Sequence, residues 1–96
     1  MRTMLRITIP TETGNRAIKD GSLQKVLAAT MEKLKPEAVY FVTHNGLRSG
    51  MLFFDMKDSS EVPAIAEPLF QQLDATCEFL PAMNGADLQK GLSAHA

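Results

Sequence analysis

The chain has 96 residues and a formal net charge of −1, with 45% hydrophobic and 22% charged residues. This length supports one domain with one hydrophobic core, and the composition is typical of a globular protein rather than a disordered one. Lysines and arginines are scattered, so the basic patch of a nucleic-acid-binding protein is missing, and no apolar run reaches the roughly 18 residues of a membrane span. We therefore predict one domain over residues 1–96, with no nucleic-acid or membrane partner.

Cys77 is the only cysteine, which excludes a disulfide within the chain and a cysteine-rich zinc site. Its neighbours Thr76 and Glu78 carry no positive charge that could activate the thiol, so we predict a packed, unreactive side chain. With two histidines and no clustered carboxylates, the sequence predicts no metal site and no cofactor. The first ten residues lack the apolar run of a signal peptide, and we expect a cytoplasmic protein.

The first half of the domain changes from a strand period to a helical one. Apolar and polar residues alternate over residues 4–9, which predicts a half-buried strand that ends at Pro10. Residues 11–15 have the composition of a turn and helix cap, and residues 15–35 carry apolar side chains at helical spacing. Asp20-Gly21-Ser22 interrupts that spacing, so we predict either a kink or a short first helix followed by a longer one.

Asn45-Gly46 predicts a β-hairpin, because both residues tolerate the positive φ angles of a two-residue type I′ turn. The turn fixes the register, with His44 opposite Leu47 and Tyr40 opposite Met51. Two faces result. One is apolar and carries Val39, Phe41, Leu52, Phe54 and Met56; the other carries Tyr40, Val42, His44, Ser49, Met51, Phe53 and Asp55. Neither face has the polarity expected of a surface exposed to water.

The second half of the domain repeats the pattern of a helix and a strand. Asp58 and Glu61 have the spacing of a capping box, and an apolar stripe continues to Leu73. Residues 76–83 predict a last strand, which Pro81 places at a sheet edge. A short helix then runs from residue 84 through residue 92, and residues 93–96 are expected to fray.

The order strand, helix, strand, strand, helix, strand predicts an α+β domain of the ferredoxin-like βαββαβ arrangement with an additional short C-terminal helix. Its antiparallel sheet has four strands in the order 4-1-3-2, and both crossover helices cover one face. The predicted core beneath the helices consists of Leu5, Ile7, Ile9, Val39, Phe41, Leu52, Phe54, Cys77 and Phe79.

The opposite sheet face would expose a contiguous apolar patch in a monomer, with Tyr40, Val42, Met51, Phe53 and Leu80 among its residues. A second copy packed face to face is the simplest cover. In this layout the chain resembles the dimeric α/β-barrel superfamily, and its tail Glu78-Phe-Leu-Pro-Ala-Met-Asn-Gly-Ala-Asp-Leu88 resembles that of small uncharacterised bacterial proteins of this type. The resemblance implies a homodimer. Members include cofactor-free monooxygenases, lactone isomerases, haem proteins and sensing domains, so it implies no single activity.

Polar side chains on the barrel side are the candidate ligand-binding residues: Arg6, Thr8, Tyr40, Asp55 and Glu78. As one cluster they could bind a small anionic or carbonyl compound. The alternative is that Arg6 and Glu78 form an ion pair at the subunit boundary and fix the dimer register. Tyr40 could equally pack in the interface with its hydroxyl at the rim.

His44 is the one candidate catalytic residue, since a histidine at the barrel mouth could act as a base. The alternative is a solvated turn histidine. Haem ligation is disfavoured, because a turn tip does not provide a deep apolar pocket.

Three functions follow as hypotheses. The first is a homodimeric small-molecule-binding or sensing domain with a pocket between the sheets or beside the helices. The second is a cofactor-independent monooxygenase or isomerase acting on a small cyclic metabolite. The third is a structural dimer whose barrel is filled by its own side chains. Whether the protein is an enzyme is left open by the sequence.

Overall fold

Residues 1–95, which the computed structural model describes, form four strands and four α-helices. They are β1 (Arg2–Ile9), α1 (Thr11–Asp20), α2 (Ser22–Leu34), β2 (Ala38–His44), β3 (Leu47–Asp55), α3 (Val62–Leu73), β4 (Thr76–Pro81) and α4 (Gly85–His95). The strands build one antiparallel sheet in the order β2-β3-β1-β4. The predicted α+β class and strand order are confirmed, and the arrangement is compatible with a ferredoxin-like fold.

The β2–β3 hairpin has the predicted register. Tyr40 pairs with Met51 and His44 pairs with Leu47, while Asn45 and Gly46 have φ angles of 53° and 76°. Because both turn residues occupy the left-handed region, the two strands continue directly from the turn without a bulge at its base. The turn therefore decides which side chains share each face of the hairpin.

The first helical segment is divided where the sequence predicts it, but it begins earlier. Gly21, with a φ of 82°, separates α1 from α2, as only glycine adopts this conformation at little cost. α1 begins at Thr11 rather than at Asn15, so the predicted turn over residues 11–15 is wrong. Pro10 has extended backbone angles, and its carbonyl accepts the Gly14 N–H at 2.8 Å; no intervening turn is needed.

The second helical segment has the predicted capping box. The Asp58 N–H donates to the Glu61 carboxylate at 2.8 Å, and a 3₁₀ turn over Ser59–Glu61 leads into α3. α4 continues to His95, so its predicted end at Leu92 is wrong. The fraying of residues 93–96 stays a prediction, and Ala96 lies outside the described residues.

The core lies between the sheet and helices α1 to α3. Leu5, Leu69 and Leu73 have no exposed surface, and half-buried Cys77 and Phe79 pack against this cluster as predicted. Phe41 is the exception, since its side chain is 62% exposed; its predicted burial is wrong. β2 is an edge strand, and the helices do not extend far enough to cover the outer end of its apolar face.

We expect Leu69→Ala to lower the free energy of unfolding by about 2–5 kcal/mol, because it removes buried methyl groups and leaves a cavity. Phe70→Ala is the matched control: its side chain follows directly on α3 but is 41% exposed, so a loss below about 1 kcal/mol is expected. Urea unfolding followed by circular dichroism measures both. Equal losses would contradict the placement of the core.

Candidate functional site

The sheet face turned away from the helices, here called the open face, orders its side chains in rows across the strands. One row contains Tyr40, Met51, Arg6 and Glu78, from β2 to β4. The next row toward the hairpin turn contains Val42, Ser49, Thr8 and Thr76. Three of the predicted ligand-binding residues therefore lie in one row, and Thr8 lies in the adjacent one.

Arg6 and Glu78 form an ion pair, with 3.6 Å between Arg6 Nη1 and Glu78 Oε1. The Arg6 side chain is 24% exposed and that of Glu78 is 45% exposed, so the pair lies at the surface of this chain. Tyr40 is 59% exposed, and its ring contacts that of Phe53 edge to face, with 6.5 Å between centroids. The row thus combines a charge pair with an exposed aromatic side chain.

Thr8 is buried, and its hydroxyl lies 3.4 Å from that of Ser49. Ser49 in turn donates to the Ile7 carbonyl at 2.9 Å. The two hydroxyls are satisfied within the sheet, so this part of the open face presents few polar groups to a ligand.

Asp55 lies apart from the other candidates, because its partner on β1 is Arg2 and not Arg6. Four residues along a strand correspond to about 13 Å. Its carboxylate accepts the N-terminal ammonium group at 2.7 Å and also binds Lys57. The hydrogen bond from Lys57, followed by that from the N-terminus, lowers the pKa of Asp55 to about 2. The single five-residue cluster expected from the sequence is therefore divided.

His44 is half-buried at the end of β2, opposite Leu47. His44 lies four residues along β2 from Tyr40, so it is again about 13 Å from the row of Tyr40 and Arg6. The structure does not bring the candidate base together with the candidate ligand-binding residues.

α4 begins at the end of the open face that holds Asp55. Arg2 donates from Nε to Glu37 at 2.6 Å and from Nη1 to Asp87 at 3.0 Å. Asn84 caps the helix, accepting the Asp87 N–H at 2.8 Å. None of the residues from Gly85 to His95 is buried, so the helix leaves the domain with its apolar side chains exposed.

An apolar groove of about 410 Å³ lies on the helix side of the sheet, between α2 and the β2–β3 hairpin. This volume is within the range of small-molecule sites. The lining residues are Ile7, Ile9, Leu23, Leu27, Phe41, Val42, Thr43, Arg48, Ser49, Gly50 and Leu52. Phe41 forms the outer wall, and the same missing helix cover that exposes its ring leaves the groove open.

Gly50 permits the Phe41 ring to lie close to β3. A Cβ atom at Gly50 would be 3.3 Å from the Phe41 ring, which is tighter than ordinary van der Waals contact. A side chain there would therefore displace the ring or fill the groove.

Among the residues that the structure describes, Arg48 is the only charged one in the lining. It donates from Nη2 to the Asn15 side-chain oxygen at 2.8 Å and from Nη1 to the Thr11 carbonyl at 3.4 Å. Gly14 makes room for the guanidinium group, because a Cβ there would be 2.6 Å from Nη1. The sequence allowed a pocket beside the helices, but its candidate ligand-binding residues all lay on the open face, and Arg48 was not among them. The available signal was a cation at the end of an otherwise apolar hairpin face.

Cys77 is half-buried, and this burial raises the pKa of its thiol to about 11. The thiol is therefore protonated near neutral pH, as expected of a packed side chain. Within residues 1–95, no group of three or more His, Cys, Asp or Glu side chains is arranged to hold a metal ion. No helix of this part of the chain is long and apolar enough to cross a membrane.

Comparison with protein-family models gives no match for this chain, and comparison with curated proteins gives none either.

We expect the Asp55 carboxyl to titrate with a midpoint near pH 2 in the folded protein. Because its pKa lies below the unfolded value of 3.8, ionised Asp55 stabilises the fold above pH 3.8, and this contribution is lost as the pH falls toward 2. NMR titration of the side-chain carboxyl carbon measures the midpoint. Lys57→Ala should raise it, and an unchanged midpoint would exclude Lys57 as the cause.

Proposed function

We propose that the protein is a homodimeric small-molecule-binding or sensing domain of the dimeric α/β-barrel type. The open faces of two copies pack against each other, and each copy keeps its own ligand groove on the helix side. The groove is the observation that carries the binding function.

The lining of the groove supports a small, largely apolar ligand. One wall is formed by leucines of α2 and the other by apolar side chains of the sheet: Leu23, Leu27, Leu52 and Phe41. A bound ligand would displace water from both walls. Burial of apolar surface contributes roughly 25 cal/mol per Å². A flat or ring-shaped compound that stacks against Phe41 would bury the largest exposed aromatic surface of this region.

The surface of the isolated chain supports the dimer. It exposes 6265 Å², whereas a monomer of 10.5 kDa is expected to expose about 5400 Å². The excess of roughly 870 Å² is comparable to the roughly 800 Å² that one partner buries in a standard interface. On the open face, Tyr40, Val42 and Leu80 are 59%, 41% and 47% exposed, and a second copy would cover them.

In this arrangement we assign the row of Tyr40, Arg6 and Glu78 to the interface between the copies. Arg6 and Glu78 already neutralise each other, which makes their burial by a partner less costly than that of a lone charge. α4 adds to the same surface, because it begins beside Arg2 and exposes Leu88 and Leu92 on one side of the helix.

We expect Tyr40→Asp to weaken dimerisation by about 100-fold or more, because it places an unpaired carboxylate in an apolar interface. Sedimentation velocity over a concentration series measures the dimer Kd. Ile18→Asp is the matched control, since Ile18 is 40% exposed on α1, away from the open face. A monomeric wild-type protein, or equal weakening by both variants, would contradict the dimer.

We expect N-phenylnaphthylamine, an uncharged aromatic probe, to bind the groove with enhanced fluorescence. Phe41→Ala should weaken this binding about tenfold, because it removes the apolar side chain that forms the outer wall of the groove. Phe70→Ala removes a partly exposed phenylalanine of α3 that is not part of the lining, and it should leave the Kd unchanged. Native mass spectrometry of the purified protein would in addition reveal any ligand retained from the cell.

Equal binding by wild type and Phe41→Ala would contradict the groove as the binding site. A dimer that binds no probe and carries no retained compound would instead support a barrel filled by its own side chains.

A further inference from the structure

We propose that the ligand of the groove is an amphipathic anion, with an apolar, preferably aromatic body and a carboxylate or similar acidic group held by Arg48. This inference rests on the proposed binding function of the groove and names the class of compound that it selects.

The surroundings of the Arg48 guanidinium group support an anionic partner. Arg2 and Arg6 are both paired with carboxylates. Within residues 1–95, by contrast, no Asp or Glu oxygen lies within 4.0 Å of the Arg48 guanidinium nitrogens. Its protein partners are one amide oxygen and one backbone carbonyl, both neutral. The positive charge is therefore not compensated by a direct ion pair in this part of the chain.

The position of Arg48 is fixed from the α1 side. Asn15 accepts from Nη2, the Thr11 carbonyl accepts from Nη1, and Gly14 leaves space for the group against the helix backbone. A guanidinium group has five N–H donors, and these two contacts occupy two of them. The others can bind both oxygens of an acidic group in the planar geometry that arginine and carboxylate share.

The remainder of the groove excludes a wholly polar ligand. Apolar side chains make up most of its lining, and the polar members of the lining are Thr43, Ser49 and the cation Arg48. A sugar or a free inorganic anion would leave the apolar side chains without an apolar partner and would have to give up its own hydration. A ligand with one charged end and one apolar end matches a groove that has apolar walls and one cation.

Two probes that share an aromatic skeleton test this inference. Anilinonaphthalene sulfonate differs from N-phenylnaphthylamine by one acidic group, so their relative affinity isolates the anion. We expect the sulfonate to bind the wild-type dimer at least tenfold more tightly. Arg48→Gln should remove this preference and change the Kd of the uncharged probe by less than about twofold, because the apolar walls are intact.

Two further variants act as controls. Arg16→Gln removes an exposed arginine of α1 that is not part of the lining, and it should keep the full preference. Arg48→Lys keeps the charge without the planar donor pair, and it should retain part of the preference. Binding of the uncharged probe by each variant establishes that its groove is folded.

The outcomes separate the two proposals. If the uncharged probe binds but the sulfonate binds no more tightly, or if Arg48→Gln leaves the preference unchanged, the anion inference is overturned and the binding function stands. If neither probe binds the wild-type protein and no retained compound is found, the proposed function fails and the inference fails with it. Equal losses in Arg48→Gln and Arg16→Gln would indicate general electrostatic attraction and would also overturn the role of Arg48.

Discussion

The two-residue turn at Asn45-Gly46 is the constraint on which the other features depend. Because side chains alternate along a strand, a shift of one residue in the hairpin would exchange the two faces. The left-handed φ angles of both turn residues hold the register, and this places Leu52 and Phe54 in the core and Tyr40 and Met51 on the open face. The core, the groove and the open face all follow from this one turn.

The edge position of β2 leaves apolar side chains exposed on both of its faces. The helices bury the apolar side chains of β1 and β3. The Phe41 side chain of β2, by contrast, packs over Gly50 of β3 and is otherwise exposed. This exposed aromatic side chain beside an apolar groove is, in the proposed function, the contact for a ligand. Exposed apolar residues on the open face of the same strand are, in the proposed dimer, available to a second copy. Under these two proposals, one edge strand provides contacts both to a ligand and to a second copy.

The charged side chains of the sheet fall into two groups, those paired with an opposite charge and those bound by neutral groups. Arg2, Arg6 and Asp55 are paired with opposite charges within the chain. Arg48 is held by neutral groups beside the groove. This contrast, rather than the number of charges, is what distinguishes a structural arginine from a candidate ligand-binding one here.

The sequence by itself determined the elements and their pairing, because turn residues, alternation and helical spacing are local signals; the hairpin register, the break at Gly21 and the strand order were all predictable. It did not determine how far the helices cover the sheet, so Phe41 was placed in the core and Arg48 was overlooked. It also did not show that Asp55 lies about 13 Å from Arg6 along β1. These features depend on distances between elements far apart in the chain, which only the packed tertiary structure fixes.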